Sequence, residues 1–119
     1  MTIVEKFLIG EAERPSWLVY PKELVHLVSV GATQFIPWRI LEAEYALPEA
    51  GRLKERYDRE LVPFAYRQDN DDLACLEQGS DDRVKIIHNH ASKGWENERE
   101  YSSFDAWLDS VKEQMSEWL

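Results

Sequence analysis

Residues 61–77 read LVPFAYRQDNDDLACLE, and the reading of this stretch decides the fold. Two apolar runs flank RQDNDD, in which three carboxylates fall within four positions. A metal loop would need ligands at fixed spacing. An EF-hand loop starting at Asp69 needs an oxygen ligand at its fifth position, Gly at its sixth and Glu at its twelfth. The chain offers Leu73, Ala74 and Ser80 there. A general acid and base pair needs two carboxyls in environments that separate their pKa values, whereas acids at the tip of a short turn are equally solvated. Asp and Asn in such a place bond the local backbone. The stretch therefore reads as a hairpin, 61–67 and 72–77, around a polar turn.

The neighbouring sequence extends this sheet. RVKIIHNH supplies the next strand, with Val84, Ile86 and His88 on one face and Lys85, Ile87 and Asn89 on the other. GSDD, residues 79–82, is its connection. A turn at Lys93-Gly94 and a short edge strand at 98–101 follow. Upstream, the alternation from Arg39 predicts a strand over 38–45, and Pro48 predicts the start of a short helix through LPEAGRLKERYD. Leu24, Leu27 and Val28 recur at helical spacing after Pro21, and Gly31 closes that helix. At the C-terminus, Phe104, Trp107, Leu108, Val111, Met115 and Trp118 form one apolar stripe, with Ser102 and Asp105 as a capping-box-like start. The expected fold is α+β: a single domain over 1–119, a mostly antiparallel sheet packed against helices, and a long C-terminal amphipathic helix.

Composition narrows the function. The 119 residues carry a net charge of −9. Residues 1–60 hold 10 acids against 8 bases, and residues 61–119 hold 13 against 6. No basic patch is present to meet phosphates, so direct nucleic-acid binding is not expected. No apolar run is long enough for a membrane span, and the start does not read as a signal peptide. One cysteine, Cys75, gives no intrachain disulfide and fits a reducing cytoplasm. Cys75 lies in an apolar strand, where a thiol is inert. No nucleophile motif, phosphate loop or dinucleotide fingerprint appears, so neither catalytic residues nor a cofactor are expected. His88 and His90 alternate onto one strand face, which would suit a metal-dependent hydrolase, but no third ligand with a compatible position is visible, although folding could bring in His26 or an acid, and no metal is expected.

The order of motifs resembles the SUKH superfamily, the Smi/Knr-like domains. YPKELVHLV is similar to its early helix. Val62, Pro63, Phe64 and Ala65, then Asp72, Cys75, Leu76 and Glu77, resemble its most distinctive segment. VKIIHNH is similar to the strand that follows, and YSSFDAWL to the closing segment that opens the last helix. The resemblance covers about residues 15–119 and implies an α+β domain without catalytic residues. It also implies an interaction module, in many bacterial members an immunity protein that neutralises a toxin, often a nuclease, by stoichiometric binding. A basic toxin would suit an acidic surface. The candidate contacts are Asp69, Asp71 and Asp72 in the first turn and Asp81 and Asp82 in the next connection, at opposite ends of the sheet. A regulatory scaffold with some other partner is the remaining expectation.

Overall fold

The computed structural model describes the backbone of residues 1–118 and the side chains of residues 1–117. Its centre is a six-stranded antiparallel sheet in strict sequence order: β1 Gln34–Phe35, β2 Trp38–Ile40, β3 Leu61–Arg67, β4 Asp72–Glu77, β5 Val84–His88 and β6 Asn97–Tyr101. Among the described residues four helices accompany it: α1 Ile3–Phe7, α2 Lys22–Ser29, α3 Ala43–Tyr57 and α4 Phe104–Trp118. The expected hairpin is present in full, with Val62 opposite Leu76 and Tyr66 opposite Leu73.

Both faces of the sheet are covered. A large core lies on the α4 side, where Val62, Phe64, Ala74, Leu76, Val84 and Ile86 meet side chains of α2 and α4. A smaller core lies on the opposite face, where Leu53 and Tyr57 of α3 cover Leu61, Leu73, Cys75 and Ile87. This double cover explains why 61–66 and 73–76 are nearly continuous apolar runs rather than alternating ones. It also accounts for the C-terminal stripe. Phe104, Trp107, Leu108 and Val111 are buried and Met115 is half-buried; the side chain of Trp118 lies outside the described residues.

Three local expectations are corrected. The strand expected over 38–45 ends at Ile40, because Ala43 already starts α3. Pro48 therefore sits inside this helix rather than at its start. Residues 43–47 contain Ala, Glu and Leu, good helix formers, and burial of Ala46, Leu53 and Tyr57 on one helical face overrides the apparent two-residue alternation. At the last helix the cap is Ser103 rather than Ser102: its hydroxyl accepts the Ala106 N–H at 3.1 Å.

Two bulges re-aim side chains. In β3 the register slips between Pro63 and Ala65, so Pro63, which has no N–H to give, occupies an interrupted part of the ladder. The Phe64 carbonyl is taken instead by the Leu41 N–H at 2.8 Å. Phe64 and Ala65 both join the α4-side core, and Tyr66 then falls on the α3 side. In β6, Arg99 pairs with Ile86 but Asn97 with Ile87, which leaves Glu98 as the extra residue.

Candidate functional site at the turn end of the sheet

Strict antiparallel order brings three connections to one end: the turn at 36–37, the acidic turn at 68–71, and the connection at 89–96. The backbone ties them together. Gln68 N–H donates to the Pro37 carbonyl (2.7 Å), Asn89 N–H to the Asp71 carbonyl (3.0 Å) and His88 N–H to the Glu96 carbonyl (2.8 Å). The 78–83 connection lies at the opposite end, so Asp81 and Asp82 are a sheet-length away from Asp69 and Asp71.

The three acids of the first turn have three different environments. Asp69 accepts a two-pronged ion pair from Arg67, Nε and Nη2 each at 2.8 Å, and Arg67 also reaches the Gln114 side chain of α4 at 3.2 Å. The guanidinium holds the Asp69 carboxyl below the usual carboxylate range. Asp71 is exposed. Asp72 is only 5% exposed. Its N–H donates to the Asn70 side chain at 2.8 Å, the local turn bond that the sequence suggests. Its carboxylate meets His88 Nδ1 at 2.8 Å.

Register creates that last contact. Asp72 and His88 are direct partners across β4 and β5. The bonded carboxylate raises the His88 pKa above the ordinary imidazole value. From β6, the bulged Glu98 comes near the same carboxylate, and that proximity raises the pKa of the Glu98 carboxyl, with desolvation adding to the effect. One donor atom from each of Asp72, His88 and Glu98 lies within 4.8 Å of the others. The expected pairing of His88 with His90 on one strand face is not realised. β5 ends at His88, and His90 adopts a left-handed backbone (φ 73°) in the following turn. His26 is exposed on α2. The sequence conceals Glu98 as a partner because only the β6 bulge and the neighbouring register bring it there.

In the 89–96 connection at the same end of the sheet, Trp95 is 80% exposed. Its turn is fixed from below. Trp95 N–H donates to the Ser92 carbonyl at 2.9 Å, and Gly94 takes the left-handed conformation the turn requires (φ 96°). The Gly94 N–H donates to Glu96 at 2.7 Å. The Glu96 carboxylate is buried and bonded to Arg59 at 3.0 Å, while Arg59 also grips Glu77 through two bonds of 2.8 and 2.9 Å. Tyr57 of α3 donates its hydroxyl proton to the Ala91 carbonyl at 2.7 Å. The indole therefore stands in solvent on a braced frame. The signal for it in the sequence is the bare Lys93-Gly94-Trp95-Glu96 turn, an aromatic where a polar residue would serve.

On the other face of the sheet a cleft of about 450 Å³ opens beside α3. Arg39, Tyr66 and Leu73, partners across β2, β3 and β4, form its floor, and Glu42, Tyr45 and Glu49 its helical wall. Cys75 lies under α3, and burial pushes its thiol pKa far up. No family model, no curated protein and no solved structure matches this chain. No helix among the described residues is long and apolar enough to cross a membrane.

Proposed function

We propose that this chain is a non-enzymatic binding module of the SUKH kind, an immunity-type domain that holds a basic toxin through the turn end of its sheet. The observation that carries the reading is the exposed indole of Trp95 on a braced turn, bonded through Asn89 to the acidic turn. Tryptophan is enriched among the few residues that dominate binding energy. A side chain held on a rigid frame loses little entropy on docking. The exposed Asp71 at the same end of the sheet, and the net charge of −9, favour a cationic partner.

The five candidate acids divide on this reading. Asp71 contacts the partner directly. Asp69 contributes less, because Arg67 already neutralises it. Asp72 supports the turn from within. Asp81 and Asp82 would join only with a partner that spans the sheet, since they lie at its far end.

The test is protection of cells from a toxin encoded beside this chain, followed by affinity measurements on the purified pair at low and high salt. Trp95→Ala should weaken binding by about 2 kcal/mol or more, roughly 30-fold. Asp69→Asn with Asp71→Asn should slow association and flatten its salt dependence. Unchanged affinity in both variants would remove the turn end as the binding surface. A tight complex with a cellular protein other than a toxin would make the chain a regulatory scaffold.

A further inference from the structure

We propose that Asp72, His88 and Glu98 form a binding site for a divalent transition metal of the zinc class, bridging β4, β5 and β6 at the turn end of the sheet. The proposal stands apart from the partner reading and uses none of its contacts.

The donor set is mixed, one imidazole and two carboxylates, and each donor comes from a different strand. Imidazole nitrogen favours zinc and its neighbours over calcium or magnesium, which prefer all-oxygen shells. The donors lie within 4.8 Å of one another. Tetrahedral zinc with bonds of about 2.0–2.2 Å wants donors roughly 3.3–3.5 Å apart. The His88 Nδ1–Asp72 contact of 2.8 Å is shorter than this and would open as a metal replaced the shared proton, while Glu98 would close in; both His88 and Glu98 are exposed, whereas Asp72 is buried and already aimed. Asn70 orients Asp72 from behind, through the Asp72 N–H bond of 2.8 Å and a longer contact of 3.4 Å to the carboxylate. Such outer-shell bonds fix metal-binding carboxylates in known sites.

The local charge also asks for a cation. One oxygen of the Asp72 carboxyl and one of the Glu98 carboxyl lie within 4.8 Å of each other. Arg67, whose charge is felt by both carboxyls, is committed to Asp69 in a two-pronged pair. Three protein donors on an exposed rim leave the remaining coordination positions to water, an open site rather than a closed structural one.

The probe is Zn²⁺ alone, titrated calorimetrically into chelator-treated full-length protein, with Ca²⁺ as comparison. One-to-one zinc binding is expected, with movement of the His88 ring resonances and no comparable calcium binding. Glu98→Gln, on an exposed edge strand where folding is not at stake, should weaken zinc by at least about tenfold. His88→Gln should do the same, and His90→Gln should leave affinity unchanged. Absence of one-to-one binding, affinity that survives Glu98→Gln and His88→Gln, or loss of binding in His90→Gln would each overturn the site.

Discussion

Trp107 is the most informative residue to perturb, because its packing and its polarity pull in opposite directions. It is 1% exposed. Its ring meets Trp38 edge-on at 5.6 Å, Phe64 edge-on at 5.1 Å and Phe104 tilted at 5.5 Å. Its indole N–H has no hydrogen-bond partner among the described residues. Truncation to alanine removes the whole ring and should cost about 3–5 kcal/mol, a large share of the roughly 5–15 kcal/mol that holds a domain folded. Phenylalanine behaves differently. It leaves a void of roughly 40 Å³, which at about 24 cal/mol per Å³ costs on the order of 1 kcal/mol, and the lost burial of the removed ring carbons adds to this. It also removes a buried unpaired donor whose desolvation costs about 1–3 kcal/mol. The two effects nearly cancel, so Trp107→Phe should lie within about 1 kcal/mol of wild type. The assay is urea unfolding of wild type and both variants, read as midpoints at unchanged slope. If Trp107→Phe were as destabilising as Trp107→Ala, the N–H would have a partner and the balance drawn above would be wrong. If Trp107→Ala cost under about 1 kcal/mol, α4 would not be part of the core.

Leu53→Ala should cost about 2–5 kcal/mol by the same assay, because Leu53 seals the second core under α3; a surface-like loss would mean that this face is open. Burial alone would raise the Glu96 pKa, but backbone N–H bonds, Gly94 among them, and the Arg59 guanidinium together hold it below the usual value. A lowered carboxyl pKa stabilises the fold above the unfolded value, near 4.5, and that stabilisation is lost as pH falls through the folded value. Glu96→Gln should therefore reduce stability at neutral pH and flatten its decline below about pH 4.5, measured as melting temperature against pH. Cys75 should resist thiol reagents in the native protein and react only on unfolding, since it is buried and its pKa is raised; fast native labelling would contradict its position under α3.

The sequence by itself determined the α+β class, the 61–77 hairpin, the strand at 84–88 and the buried stripe of the last helix. Each of these rests on a local signal. The hairpin has a polar turn between apolar runs, and the helix has Phe104, Trp107, Leu108 and Val111 on one face. It also placed the two acidic connections at opposite ends, which follows from antiparallel order alone. The segment 41–47 misled because six or seven residues of mixed character fit a strand and a helix equally well. Only contact of Ala46, Leu53 and Tyr57 with the cores chose the helix. Tertiary structure alone assembled the Asp72–His88–Glu98 cluster. Its members are 16 and 26 residues from Asp72 along the chain, and a one-residue bulge in β6 decides where Glu98 points. It likewise decided that Trp95 stands in solvent. A strand register or a bulge costs little locally and is fixed by what the whole sheet must bury, so no window of sequence contains it.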